Sequence, residues 1–245
     1  MQKFFVKNNQ IEENIINIIE EDVNHIINVL RLKREDEIQI CNQETAKNYI
    51  AKIVQYDKEK VVCKIEREIK SEVEPKVNVT LYQGLPKADK MELIIQKTTE
   101  IGIKRIIPVS MERSIVKLNE KDSKKKIQRW QKIAEVAAKQ SKRDKIPQIE
   151  DVINISKIYS NINEYDIFIV AYENEKQIKL KEILKKYNSA KNIAVLIGPE
   201  GGIEEKEIEK LKQSGATTVS LGSTILRTET APIVITSNIL YELEN

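Results

Sequence analysis

The sequence predicts an α/β protein, with a parallel sheet in its larger, C-terminal part and a small barrel of strands before it. From residue 76 onward, short apolar or β-branched runs alternate with amphipathic segments, which is the pattern of strand–helix units. The first 70 residues instead contain several short strand-like runs around one helical segment, as in a small barrel. Two late strand-like runs each end at a glycine loop and continue as a helix, which indicates a binding site near the C-terminus.

In the N-terminal part, alternating or β-branched residues predict strands at residues 3–6, 37–41, 47–56 and 60–66. Between the first two, apolar residues recur at helical spacing, which predicts a helix over residues 22–30. These short elements are consistent with one small domain.

A linker is predicted at residues 71–75, because this segment is polar and ends in a proline. A chain of 245 residues is long enough for one large and one small domain. We therefore expect a small domain at residues 1–72 and a larger one at residues 73–245.

In the larger domain, strands are predicted at residues 77–81, 105–109, 166–171, 192–197 and 217–221. Helices are predicted at residues 90–101, through residues 127–137, and at 178–187, 204–214 and 230–243. The strands are continuous apolar or β-branched runs, as expected of strands buried on both faces of a parallel sheet.

The composition, 40% hydrophobic and 32% charged, is that of a soluble globular protein. No apolar run approaches the roughly 20 residues that cross a bilayer, and the N-terminus lacks the apolar region of a signal peptide. The expected location is the cytoplasm, with no membrane partner.

Two cysteines, Cys41 and Cys63, and one histidine, His25, leave little material for a metal centre or a histidine-based triad. We therefore expect chemistry without a metal. Positive residues are concentrated between Lys117 and Lys145, where a basic field attracts phosphate backbones. A solvated helix face explains the same residues equally well.

The two glycine loops hold four of the seven glycines. Segment 197–202 reads Ile-Gly-Pro-Glu-Gly-Gly, and segment 220–231 reads Ser-Leu-Gly-Ser-Thr-Ile-Leu-Arg-Thr-Glu-Thr-Ala. The first lacks the Gly-Lys-Ser/Thr of a P-loop and comes too late in the chain for a dinucleotide fingerprint. A tight turn that starts the next helix remains an alternative.

Arg227 is the residue in the second loop that a simple turn does not explain. Thr228 or Thr230 can cap the last helix, and Glu229 suits its dipole. A positive charge at a helix N-terminus is unfavourable, so Arg227 indicates a functional demand.

Together with four further segments, these loops resemble the ribosomal RNA small subunit methyltransferase E family, which belongs to the SPOUT class of trefoil-knotted methyltransferases. The further segments are Lys-Met-Glu-Leu-Ile-Ile-Gln-Lys at 90–97, Glu-Arg-Ser at 112–114, Arg-Trp-Gln-Lys-Ile-Ala at 129–134 and His-Ile-Ile-Asn-Val-Leu-Arg at 25–31. The resemblance covers essentially the whole chain.

The resemblance implies a PUA-like RNA-binding β-barrel followed by a knotted methyltransferase domain that forms a homodimer. It implies S-adenosylmethionine (SAM) as cofactor, without a metal, and methylation at N3 of a uridine in 16S rRNA of the small ribosomal subunit. Two alternatives stay open: a methyltransferase of another RNA such as tRNA, and a ribosome-binding factor without catalytic activity.

By resemblance, the residues that would hold SAM are Leu196, Gly198, Gly201, Gly202, Leu221, Gly222, Ile225, Leu226 and Thr230. The expected base is Glu229, and Glu200 is the competing base. Arg227 is expected to hold the uracil carbonyl or a phosphate and to stabilise the departing negative charge. Lys97 and Glu100 lie in a segment that faces the knot in relatives. Contacts to RNA are expected at Arg31, Lys33, Arg34, Lys87, Lys90, Arg113 and Arg143, because these residues lie in the matched segments, although such a residue is more often a solvated surface charge.

The sequence also departs from the family pattern. Glu35, Ala88 and Lys142 stand where relatives often carry glycine, and the usual Asp-Gly turn within residues 42–47 is missing. Pro232 interrupts the usual alanine-rich start of the last helix. We expect these differences to change the shapes of loops, while both glycine loops stay intact.

Overall fold

The computed structural model describes residues 1–70 and 73–244, so residues 71 and 72 of the predicted linker lie outside the described part. Backbone contacts divide the chain into two compact units. Unit 1 comprises Met1–Glu74 and Lys139–Lys145, and unit 2 comprises Pro75–Ala138 and Ile146–Asn245. The sequence analysis did not anticipate the return of the chain to unit 1.

Within the described residues, unit 1 contains a six-stranded sheet. Its elements are β1 (Lys3–Val6), β2 (Ile11–Glu12), β3 (Ile15–Ile19), α1 (Glu21–Asn24), β4 (Glu37–Asn42), β5 (Asn48–Tyr56) and β6 (Lys60–Ile69). The strand order is β1-β4-β5-β6-β3-β2, with β1 parallel to β4 and the other neighbours antiparallel. Register irregularities in β5 bend and twist the sheet.

The four strands predicted in this part are confirmed, whereas β2 and β3 were missed. Isoleucines crowd residues 11–19 without clear alternation in the sequence. In the structure Ile16 and Ile18 are buried and their neighbours Ile15 and Asn17 are partly exposed, which is the two-faced pattern of a strand.

The predicted helix at residues 22–30 is present but irregular. α1 continues as a π-helical turn over His25–Val29, in which the N–H of Leu30 donates to the carbonyl oxygen of His25 at 2.9 Å. Val23 and Ile26 face the core of the unit, as their spacing predicted.

A buried polar cluster holds the returning segment 139–145 within unit 1. The side chains of Lys3 and Asp144 form an ion pair and are only 1% and 5% exposed. Nη2 of Arg143 lies 2.7 Å from Oε2 of Glu74, and Oε1 of Glu74 accepts the backbone N–H of Asp144 at 2.8 Å. Buried charges require such partners, because desolvation of an unpaired charge is costly.

Unit 2 contains a seven-stranded parallel sheet within the described residues. Its strands are β7 (Asn78–Gly84), β8 (Arg105–Ser110), β9 (Gln148–Ile149), β10 (Ile153–Asn154), β11 (Ile167–Ala171), β12 (Asn192–Ile197) and β13 (Thr217–Val219). Its helices are α2 (Lys90–Ile101), α3 (Glu120–Gln140), α4 (Ile158–Asn161), α5 (Leu180–Lys186), α6 (Glu205–Gln213) and α7 (Ala231–Leu243). The order is β10-β8-β7-β12-β11-β13, with β9 beside β8.

The strand β12 shows why the apolar runs are continuous. Ile193, Val195 and Ile197 pack into the apolar cluster on one side of the sheet, and Ala194 and Leu196 pack into the cluster on the other side. Both faces of the sheet are therefore covered, and the predicted parallel α/β domain is confirmed. Within residues 1–70 and 73–244, no helix combines the length and the apolar character needed to cross a membrane.

Candidate functional site

A cavity of about 1330 Å³ lies where the carboxyl ends of β11, β12 and β13 meet. Its walls come from both glycine loops, from side chains between residues 171 and 184, and from one face of α7. In open parallel sheets this edge is the usual place for a ligand, because the loops that follow the strands converge there.

Two glycines of the first loop stand where a side chain would crowd a neighbour. A Cβ on Gly198 would lie 2.8 Å from Cγ1 of the buried Ile203, and a Cβ on Gly202 would meet the carboxylate of Glu173, which is the mobile end of its side chain. Gly202 also has a φ of +72°, which favours glycine. Both glycines line the cavity, so the backbone of this loop is open to a ligand.

Gly201 has a different environment from its neighbours. A Cβ there would lie 3.2 Å from Cβ of Arg113, and Nη1 of Arg113 donates to the carbonyl oxygen of Gly201 at 3.3 Å. At the end of β7, a Cβ on Gly84 would lie 2.6 Å from Cδ of Pro199. Gly84 therefore lets β7 approach the loop closely, which the sequence analysis did not foresee.

The second loop is tied to the first by Thr228. Its hydroxyl donates to the carbonyl oxygen of Gly198 at 2.7 Å and accepts from Nε2 of Gln83 at 3.1 Å. Gln83 is fully buried, and Thr228 is 7% exposed. Gly222 has a φ of +145°, with open space where a Cβ would stand.

Six of the nine residues expected to hold SAM line the cavity, namely Gly198, Gly202, Leu221, Gly222, Ile225 and Leu226. The other three do not. Leu196 is fully buried in β12, Gly201 packs against Arg113, and Thr230 is the residue that precedes α7.

Lys90 joins the two carboxylates that were considered as bases. Its Nζ lies 2.9 Å from Oε1 of Glu200 and 3.3 Å from Oε2 of Glu229. The backbone N–H of Lys87 also donates to Glu200, at 3.1 Å to Oε1 and 3.3 Å to Oε2. Lys90 and Glu200 line the cavity, and the side chain of Glu229 is 15% exposed.

These contacts change the protonation of the pair formed by Lys90 and Glu200. Burial alone would raise the pKa of Glu200, but the ammonium of Lys90 and the backbone N–H of Lys87 outweigh it, so this pKa is lowered. The pKa of Lys90 is raised, chiefly because it donates to Glu200. The pair is therefore ionised at neutral pH.

Arg227 lines the same cavity and its side chain is exposed. Its guanidinium makes no hydrogen bond or ion pair with any residue that the structure describes, while its carbonyl oxygen accepts from the N–H of Thr230 and of Ala231. Lys97 and Glu100 pair with each other at 2.9 Å on α2.

The expected RNA contacts fall into two groups. Arg31, Lys33, Arg34 and Lys87 are exposed. The others have partners inside the molecule: Lys90 pairs with Glu200 and Glu229, Arg113 pairs with Glu204 at 2.6 Å, and Arg143 is 4% exposed and pairs with Glu74.

The sequence analysis missed the cavity wall formed after β11. Glu173 and Glu175 line this wall, and Oε2 of Glu175 accepts from the hydroxyl of Thr218 at 2.8 Å. The sequence did contain a signal for this wall. Because β11 was predicted as a strand of the parallel sheet, its carboxyl end was expected at the same edge of the sheet as that of β12.

Residues 73–240 match the family of RNA methyltransferase domains, and residues 18–66 match the RNA methyltransferase PUA domain. The chain is 38% identical to the ribosomal RNA small subunit methyltransferase E of Bacillus subtilis, covering 100% of this chain and 98% of that one. The chain belongs to the ribosomal RNA small subunit methyltransferase E family. This membership agrees with the predicted fold class in its two parts, a PUA-like N-terminal sheet and a parallel-sheet RNA methyltransferase domain.

Other members of the ribosomal RNA small subunit methyltransferase E family are similar over comparable lengths. The Mesomycoplasma hyopneumoniae protein of that name is 32% identical and covers 96% of this chain and 97% of its own. The Neisseria gonorrhoeae enzyme, whose crystal structure contains S-adenosyl methionine, is 28% identical with a TM-score of 0.87, covering 98% of this chain and 97% of that one. In the part of the chain described here, no cluster of three or more His, Cys, Asp or Glu could hold a metal.

Proposed function

We propose that the protein transfers the methyl group of SAM to N3 of a uridine in 16S rRNA of the small ribosomal subunit. The observation that carries the proposal is a glycine-walled cavity at the carboxyl edge of the parallel sheet, with Lys90, Glu200 and Arg227 in its lining. Membership of the methyltransferase family supports the same reaction.

The residues of the cavity suit SAM in shape and polarity. Gly198 and Gly202 bring backbone groups into the lining of the cavity, and Leu221 and Leu226 supply apolar surface for the faces of an adenine. The proposed binding set is Leu196, Gly198, Gly201, Gly202, Leu221, Gly222, Ile225, Leu226 and Thr230. Leu196, Gly201 and Thr230 do not line the cavity, so their part in binding is to shape the loops and strand that do.

When bound, SAM supplies a methyl group on a positively charged sulfur. Because this methyl group is already activated, the reaction needs neither a nucleophile nor a metal from the protein. The chain must hold the uracil in line with this methyl group, exclude water and remove the N3 proton. We propose Glu229 as the base and Arg227 as the group that stabilises negative charge on the uracil. Glu200, which is fully engaged by Lys87 and Lys90, is the weaker candidate for the base.

The rRNA partner is proposed to contact the exposed basic residues Arg31, Lys33 and Lys87. Arg31 and Lys33 belong to the segment that matches the PUA domain, and Lys87 precedes α2 near Glu200. Arg143 is removed from the proposed set, because it is buried against Glu74.

We further propose a homodimer that acts in the cytoplasm. Large apolar side chains of unit 2 that are exposed to solvent support self-association. Among them, Ile225 is 83% exposed and Tyr241 is 74% exposed. Both residues also line the cavity, so a second copy would alter the surroundings of the bound cofactor.

Incubation of the purified protein with methyl-labelled SAM and three separate RNA substrates tests the proposal. The substrates are small ribosomal subunits that lack the modification, naked 16S rRNA and total tRNA. The proposal expects label in 16S rRNA, whether assembled or naked, and none in tRNA. Label in tRNA alone would overturn the substrate, and no label in any RNA would overturn the activity.

A further inference from the structure

Lys90 is the first residue of α2, where a positive charge is electrostatically unfavourable. A lysine at this position therefore needs compensation, and Glu200 and Glu229 provide it at 2.9 and 3.3 Å. The two acids come from different loops, and both lie within ion-pair distance of this one ammonium.

We propose that Lys90 is a positioning residue for methyl transfer: it holds Glu200 and Glu229 side by side and leaves one oxygen of Glu229 free to accept the uridine N3 proton. This inference rests on the proposed methylation at N3. It assigns Lys90 to the reaction centre, whereas the sequence analysis expected a contact to RNA.

The two carboxylates differ in how many of their oxygens are engaged. Both oxygens of Glu200 accept the backbone N–H of Lys87, and Oε1 also accepts from Lys90. Oε2 of Glu229 is buried, makes no hydrogen bond to any residue that the structure describes, and lies 3.3 Å from the ammonium of Lys90. Oε1 of Glu229 makes no hydrogen bond within residues 1–70 and 73–244, so it is the oxygen that can accept a proton.

The charges of this group suit the reaction. The N3 proton moves to Oε1 of Glu229, and the electron pair left on N3 forms the new bond to carbon. The bond from carbon to sulfur breaks with its electron pair remaining on sulfur, so charge is neutralised at both ends.

Two substitutions at Lys90 and one matched control separate this role from an RNA contact. Lys90→Met removes the charge at similar length, and Lys90→Arg restores it. Lys206→Met is the control, because Lys206 is an exposed lysine in the first turn of α6 without an ion pair among the described residues. The measurements are SAM affinity, affinity for small subunits, and the single-turnover rate of methylation.

Lys90→Met is expected to bind SAM and subunits within about threefold of the wild type while the single-turnover rate falls at least about 100-fold. Lys90→Arg is expected to recover at least about a tenth of the wild-type rate, because it returns the charge. Lys206→Met should match the wild type in all three measurements.

An unchanged rate with weaker binding of subunits would overturn the inference and make Lys90 an RNA contact. Loss of SAM binding would also overturn it. If Lys90→Met does not fold, Lys90→Gln replaces it, because glutamine also lacks the charge and keeps a polar end. The same three measurements and the same expectations then apply. If the wild type itself methylates no RNA, the proposed function fails, whereas a loss confined to the Lys90 variants concerns the inference alone.

Discussion

The hydroxyl of Thr228 donates a 2.7 Å hydrogen bond to the carbonyl oxygen of Gly198, so a single side chain joins the two glycine loops. The hydroxyl oxygen of Thr228 also accepts a hydrogen bond from the side-chain amide of Gln83 on β7. Three segments that are distant in sequence therefore meet at one buried hydroxyl beside the cavity.

Thr228→Val keeps the volume of the side chain and removes this hydroxyl. The half-buried carbonyl of Gly198 then lacks its donor, which is expected to lower the free energy of unfolding by about 1–3 kcal/mol. SAM affinity should fall at least about tenfold, because the loops are no longer joined. Thermal unfolding and calorimetric titration check both effects, and Thr228→Ser should behave as the wild type. Equal SAM affinities of the Val and Ser variants would contradict the role of the hydroxyl.

Gly202→Ala tests whether the first loop binds SAM. Gly202 and Gly215 both have positive φ, +72° and +104°, so alanine strains the backbone at either position. Only Gly202 lines the cavity, and its Cβ would meet Glu173. We expect both variants to lose stability, by about 1–2 kcal/mol, and only Gly202→Ala to lose SAM affinity, which equilibrium dialysis measures. Wild-type affinity in Gly202→Ala would remove this loop from the cofactor site.

Glu229→Gln removes the proposed base and keeps the size of the side chain. The single-turnover rate is expected to fall about 10²–10⁴-fold, with SAM affinity nearly unchanged. Glu200→Gln should cause a smaller fall, because both oxygens of Glu200 already accept hydrogen bonds. A larger fall in the single-turnover rate for Glu200→Gln than for Glu229→Gln would identify Glu200, rather than Glu229, as the base.

Glu35→Gly is expected to stabilise the protein. Glu35, Ala88 and Lys142, the three positions where the family resemblance led us to expect glycine, all have positive φ, of 72°, 51° and 58°. Relief of the left-handed strain outweighs the added entropy of glycine in the unfolded chain by about 0.5–1 kcal/mol. Chemical denaturation checks this gain. Glu37→Gly in β4, where the backbone is extended, should lower stability instead.

Removal of Asp144 alone tests the buried ion pair of unit 1. Asp144→Ala leaves the ammonium of Lys3 buried without its partner, and we expect a loss of about 3–5 kcal/mol. The double variant Lys3→Met with Asp144→Leu should recover most of that loss, since no unpaired charge remains. Denaturant unfolding compares the two. Equal losses in the single and double variants would show that shape, rather than charge, dominates at this position.

The elements of regular pattern could be predicted from the sequence. The strand at residues 192–197 and the helix at 90–101 were predicted at the limits the structure has, because apolar periodicity and the glycine after α2 mark them clearly. The strand β3 was missed, since its isoleucines occupy both faces. The π-helical turn at His25–Val29 could not be foreseen, because its apolar spacing is also that of an α-helix.

The candidate site was predicted in part. Both loops could be predicted from short stretches of sequence. Glycines after a strand indicated the turns, and the Arg-Thr-Glu-Thr segment indicated the start of the last helix. The meeting of Lys90 with Glu200 and Glu229 could not be predicted, since it depends on how segments more than a hundred residues apart come together. The burial of Arg143 could not be predicted from the sequence either, because it follows from the return of segment 139–145 to unit 1.

Identification of the methylated nucleoside tests the central claim most directly. Small ribosomal subunits lacking the modification are treated with the protein and methyl-labelled SAM, and the 16S rRNA is digested to nucleosides for mass spectrometry. The account predicts label in 3-methyluridine. Label in a ribose-methylated nucleoside, or in a uridine methylated at carbon, would contradict it, because the carboxylate of Glu229 is assigned to the N3 proton.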